Sequence, residues 1–98
     1  MDPNHAFSAT YAEARGKFLA LAYKRGAGLV SEVHPVQRGL HGEPLAMDFA
    51  VFGDPEAHRT LLIVSGTHGQ EGYTGSAIQL AWLEELVIPS EVNIVLLH

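Results

Sequence analysis

Apolar positions recur first at helical spacing. Phe7, Tyr11, Ala14, Phe18 and Leu21 would share one face, which predicts an amphipathic helix over residues 8–24. Thr10 with Glu13 fits a capping box, and Ser8 is an equally good N-cap. Gly16 weakens the middle of this helix, while Gly26 and Gly28 supply its stop. The period then changes. Residues 29–37 hold Val30, Val33 and Val36 around Pro35, which favours an edge strand. Residues 39–44 read as a turn. From 45 to 52 the chain alternates, with Leu45, Met47, Phe49 and Val51 on one side, the pattern of a half-buried strand. The two strands together predict an antiparallel hairpin, ended by Gly53-Asp54-Pro55.

A third strand is expected over residues 59–64. Its later positions are continuously apolar, which predicts a central strand buried on both faces. A second helix is expected over residues 74–87, with Ile78, Ala81, Trp82 and Leu86 on one face and Leu80, Leu83 and Val87 widening it. Pro89 prevents its continuation. Residues 92–97 make a fourth strand, apolar except for Asn93. Strand, helix and strand in that order imply a right-handed parallel crossover. The expected class is therefore α/β with a mixed sheet: helix, antiparallel hairpin, then a strand-helix-strand parallel unit.

At 98 residues the chain suits one small domain, and its 47% hydrophobic content argues for a folded segment. No repeat or linker marks an internal boundary. The net charge is −5 and the six basic residues form no cluster, so nucleic acid is an unsuitable partner. Lys24 and Arg25 are better placed to complement the dipole at the end of the first helix. There are no cysteines, which excludes disulfides and thiolate metal sites. A metal would have to be held by imidazole and carboxylate, a donor set suited to zinc. The N-terminus lacks the pattern of a signal peptide, and no apolar run approaches bilayer length. These absences lead to the expectation of a cytoplasmic protein with no membrane partner.

The chemistry concentrates at Ser65-Gly66-Thr67-His68-Gly69-Gln70-Glu71-Gly72, straight after the third strand. In open α/β sheets ligands bind beyond the carboxyl ends of strands. A His and a Glu two residues apart can converge on one ion if the backbone turns once between them, and Gly66, Gly69 and Gly72 would permit that turn. His68 and Glu71 would then be two of the three protein ligands of a catalytic zinc. Such a metal activates water and polarises a carbonyl, the chemistry of amide or ester hydrolysis. From spacing and placement alone, metal ligands and plain polar loop residues are equally good readings. A phosphate loop fits worse, since the turn lacks Gly-Lys-Ser/Thr and Glu71 would repel the anion. A nucleophile elbow at Ser65 fails because Ile63 stands where glycine is required.

Further residues carry a resemblance. The motif at 65–72, followed by Gly75-Ser76 and Gln79-Leu80-Ala81-Trp82-Leu83, closely resembles an uncharacterised bacterial branch of the carboxypeptidase-A-like zinc metallopeptidases. Upstream, Tyr11-Ala12-Glu13-Ala14-Arg15 with Lys17-Phe18, the His34-Pro35 pair and the stretch from Gly42 to Asp48 are similar to it as well. The resemblance implies the N-terminal part of a zinc-carboxypeptidase-like fold. It makes His68 and Glu71 the first two zinc ligands. It places the third ligand, the glutamate that activates water and the arginine that grips a substrate carboxylate beyond this chain. It also implies an Asn-Pro motif after the position of His98, and hence a truncated catalytic domain.

The leading expectation is a zinc-dependent amide hydrolase of metallocarboxypeptidase type, acting on peptides, inactive as this portion alone. A deacylase of N-acyl amino acids is the near alternative. From another class, the chain could be a non-catalytic portion that self-associates through an exposed sheet edge. The remaining polar residues carry plainer expectations. His98, at the end of the fourth strand, is expected to be mobile and not a ligand. His34, His41 and His58 are expected on the surface, His5 in a disordered terminus, and Asp48 on a solvated strand face. Glu84 and Glu85 are assigned to the wet side of the second helix.

Overall fold

The computed structural model describes residues 2–98. A short helix α1 (Pro3–Ala6) precedes α2 (Tyr11–Lys24), β1 (Gly28–Arg38), β2 (Pro44–Gly53), β3 (Arg59–Val64), α3 (Gly72–Glu85) and β4 (Val92–Leu97). The strands form one mixed sheet in the order β1-β2-β4-β3, antiparallel except for the β3–β4 pair. The class is α/β, with the predicted hairpin and the predicted parallel unit both present. Among the described residues no helix is long and apolar enough to cross a membrane.

Local chemistry sets the element ends. Thr10 is the N-cap of α2, its hydroxyl accepting from the Glu13 N–H at 3.1 Å. The Glu13 carboxylate reaches back one residue further than a capping box requires, to the Ala9 N–H at 3.2 Å. That hydrogen bond, with Lys17 beside it, holds the Glu13 carboxyl below its usual range. Gly26 ends the helix in the left-handed region at φ 86°, and the Ala27 N–H closes back on the Ala22 carbonyl. His5 belongs to α1, contrary to the expected disorder; Asp2 caps that single turn.

Helices cover one face of the sheet. The core joins Phe18 and Ala22 of α2 with Ala77, Leu80 and Leu83 of α3, over Ala50 and Phe52 of β2 and Ile94 and Leu96 of β4. Register explains which strand residues turn inward. Ala50 pairs with Leu96 and Phe52 with Ile94, whereas Phe49 pairs with Leu97 and Val51 with Val95 on the opposite face. Directly opposite residues of paired strands share a face.

Several expectations about faces are corrected. In β2 the set Leu45, Met47, Phe49 and Val51 points away from the helices, and the inward set holds Asp48, Ala50 and Phe52. Asp48 is fully buried, not solvated. Period-2 alternation gives two faces but leaves open which one meets the helices; here the partner charge on α2 decides it. In α3 the buried stripe runs through Ser76, Ala77, Gln79, Leu80 and Leu83, while Ile78 is 62% exposed. The helix also starts two residues earlier than expected and ends at Glu85. β3 is an edge strand with largely exposed residues, not a central one, because β4 occupies the interior position between β2 and β3. β1, carrying Pro35, is the other edge.

Candidate functional site

Two parallel strands, β3 and β4, end side by side, their register running from Arg59 opposite Val92 to Val64 opposite Leu97. The Ser65 N–H donates to the Leu97 carbonyl at 2.9 Å, carrying the pairing one residue past β3. A cleft of about 650 Å³ opens beyond these ends. Its walls include Tyr11 of α2, His68 of the loop, Tyr73 and Ser76 of α3, and His98 after β4. This is the crevice that parallel strand ends create in open sheets.

The loop is shaped by close packing rather than by three permissive glycines. Gly66 alone of residues 65–72 sits in the left-handed region, at φ 76°. At Gly72 a Cβ would stand 3.1 Å from the Gly66 Cα, so the first turn of α3 lies directly against the loop exit. The chain winds into α3 through the Gly72 N–H to Gly69 carbonyl and Tyr73 N–H to Gln70 carbonyl bonds. That winding brings residues 68 and 71 to one side. His68 Nδ1 lies 3.5 Å from Glu71 Oε1, with both side chains largely exposed.

This spacing can be tested against a metal. Zinc–nitrogen and zinc–oxygen bonds of about 2.0–2.1 Å at the tetrahedral angle put neighbouring ligand atoms roughly 3.4 Å apart. The observed 3.5 Å matches that edge, and it is long for a direct hydrogen bond. The imidazole and carboxylate therefore fit two corners of a zinc tetrahedron. Among the described residues no cluster of three or more His, Asp, Glu or Cys side chains could hold a metal. Their solvent exposure leaves the other corners open to further ligands.

Behind the cleft lies a polar network that reading the sequence missed. Arg15 grips Asp48 with two hydrogen bonds, Nε to Oδ2 at 2.8 Å and a terminal nitrogen to Oδ1 at 3.1 Å. The Ser31 hydroxyl donates to Asp48 Oδ1 at 2.6 Å. The hydrogen bonds to Asp48 raise the Arg15 pKa further, so the guanidinium stays charged. A cation one turn along from Tyr11 and one turn before Phe18 was the available signal in the sequence.

His98 is held in place, not mobile. Its backbone N–H and carbonyl both pair with Asp48, at 2.9 and 3.0 Å. Its ring stacks on Phe18 with centroids 4.4 Å apart, and Nε2 lies 2.7 Å from Ser76 Oγ. Burial lowers its pKa, against the smaller opposing influence of Asp48. His34, His41 and His58 are exposed, as expected, and lie outside the cleft lining. His34 Nδ1 accepts from the Val36 and Gln37 N–H groups and braces the irregular stretch around Pro35.

Residues 7–98 match a family described as Protein of unknown function (DUF2817). The chain belongs to that family. No curated protein matches the sequence. Among solved structures, the DUF2817 chain is similar to the glutaminyl cyclase of Fimbriiglobus ruber. The match has a TM-score of 0.62 at 16% identity and covers 98% of this chain and 44% of that one. It is also similar to the glutaminyl cyclase of Porphyromonas gingivalis, with a TM-score of 0.53 at 18% identity, covering 94% and 38%. At these identities the shared property is the fold. The chain spans less than half the length of either structure.

Proposed function

We propose that this DUF2817 chain carries one side of a metal-dependent site for chemistry at amide bonds, with His68 and Glu71 as two ligands of a zinc ion. The observation that carries this reading is the 3.5 Å approach of His68 Nδ1 to Glu71 Oε1, at the end of a parallel strand and beside a cleft. When bound, zinc supplies Lewis-acid polarisation of a substrate carbonyl and lowers the pKa of water. The chain's own residues do the rest. The turn at 69–72 carries both side chains to one side of the loop, where their ligand atoms can converge on one ion. Tyr11, Met47 and Tyr73 offer apolar surface for a substrate side chain, and His68 lines the same cleft.

Within this reading the reaction is hydrolysis of a peptide or an N-acyl amino acid by a metallocarboxypeptidase-type enzyme. A second reading is suggested by the fold likeness: cyclisation of a glutaminyl residue, the activity named in the glutaminyl cyclase neighbours. The products separate the two. Hydrolysis of a peptide adds water and yields two fragments, whereas cyclisation releases ammonia and leaves the peptide intact in length. In the intact protein, His68→Ala is expected to abolish tight zinc binding measured by calorimetry. Unchanged zinc stoichiometry in that variant removes the metal-site reading.

A further inference from the structure

The His98–Ser76 pair is a second polar pair in the cleft, separate from the proposed metal ligands. Both residues line the cleft. Ser76 is 4% exposed, and its hydroxyl makes one hydrogen bond among the described residues, to His98 Nε2 at 2.7 Å. A serine hydroxyl has one proton to donate. If Nε2 carried a hydrogen and Ser76 accepted it, the serine proton would be buried without a partner, which is costly. Donation from Ser76 to Nε2 satisfies both groups and fixes the imidazole proton on Nδ1.

Nδ1 makes no hydrogen bond to protein among the described residues, although an acidic residue stands close by. Both oxygens of Asp48 are already engaged, by Arg15 and Ser31. The carboxylate closes an ion pair with α2, and no bond from His98 Nδ1 reaches it to complete a Ser-His-Asp chain. The ring is held by stacking on Phe18 at an interplanar angle of 17° and by its hydrogen bond with Ser76.

We propose that His98 touches the ligand of this cleft, donating Nδ1–H to an acyl oxygen of an amide or carboxylate. Burial favours the neutral ring, and the charged groups facing it, Asp48 and Arg15, act in opposite directions. A neutral, fixed donor of this kind polarises a carbonyl without adding a charge to the cleft, the role of a preorganised hydrogen-bond donor. The inference rests on the cleft being the substrate site, as proposed above, but it does not require zinc.

The test uses the full chain labelled with 15N-histidine, with N-acetylglycine as the probe. Long-range proton–nitrogen spectra at neutral pH are expected to show His98 protonated at Nδ1 and bare at Nε2. Titration with N-acetylglycine is expected to move the His98 Nδ1 resonance saturably. His98→Asn keeps a donor near the δ position and is expected to retain binding, whereas His98→Gln places its amide at the ε position and is expected to lose about tenfold in affinity. An Nε2-protonated His98 overturns the proposal, and so does a titration that leaves its Nδ1 unmoved. The unsubstituted chain supplies both readings, so neither depends on how the variants fold. Zinc added to the intact protein reports on His68. There, a silent His68 with a responsive His98 defeats the metal reading alone, and the reverse pattern defeats this one alone.

Discussion

Arg15 and Asp48 meet at 2.8 Å between α2 and β2, the guanidinium one-fifth exposed and the carboxylate sealed from solvent. The pair lies under the cleft and ties the helix that presents Tyr11 to the strand that anchors His98. Removing one partner of a buried ion pair leaves the other uncompensated, at a cost of about 3–5 kcal/mol. Arg15→Met is therefore expected to lower unfolding free energy by roughly that amount, measured by urea denaturation. The double change Arg15→Met with Asp48→Leu is expected to recover most of it. A loss under about 1 kcal/mol for the single variant would contradict the burial assigned to Asp48.

Gly53 ends β2 at φ 86°, and a Cβ there would run into the Val92 carbonyl oxygen of β4. Gly53→Ala should destabilise by about 1–3 kcal/mol from backbone conformation alone, with the steric conflict in addition. Thermal unfolding checks this. An unchanged midpoint would mean that β2 and β4 do not approach as described.

Stability is expected to depend on the His98 ring through pH. Its folded pKa is lowered by burial, so the unfolded chain takes up a proton at higher pH than the folded one does. Stability from this group is complete above the unfolded histidine pKa of about 6.5 and declines as pH falls below it. His98→Phe, which keeps the stacking on Phe18, is expected to flatten the slope of midpoint against pH in the mildly acidic range. An identical slope in the variant would count against a buried neutral imidazole.

Gln79 is buried in α3, and its amide donates to the Ile63 carbonyl at 3.2 Å and the Leu97 carbonyl at 3.1 Å. It spans the two parallel strands at the penultimate residue of β3 and the last residue of β4. Gln79→Leu removes both bonds, while the Leu97 carbonyl still accepts from the Ser65 N–H, and should cost about 1 kcal/mol. Hydrogen exchange is expected to quicken at Ser65 and its neighbours more than at β1. Uniform protection would assign Gln79 a packing role only.

Periods were readable along this chain, and so were short-range pairs. β3 and β4 fall on the expected residues, and the hairpin and parallel unit follow from local patterns. His68 and Glu71 could be paired on paper because one turn of backbone joins them. Faces were not readable. Leu45, Met47, Phe49 and Val51 outscore their neighbours in hydrophobicity, yet Asp48 turns inward because Arg15 waits on the helix above it. A register choice of this kind depends on residues far away in sequence. Ser76 and His98 likewise lie 22 positions apart and meet through the parallel alignment of β4 beside β3 and the crossover of α3. The place of β3 was missed for the same reason, since an apolar run does not say which strand will insert beside it.

That insertion orders assembly in time. β4, the final strand to leave the ribosome among these four, is the one that bridges the hairpin to β3. Until residues 92–97 emerge, the β1–β2 hairpin and β3 share no ladder. Synthesis thus delivers the keystone after the stones it joins, and the cleft takes shape in the same step that unites hairpin and β3.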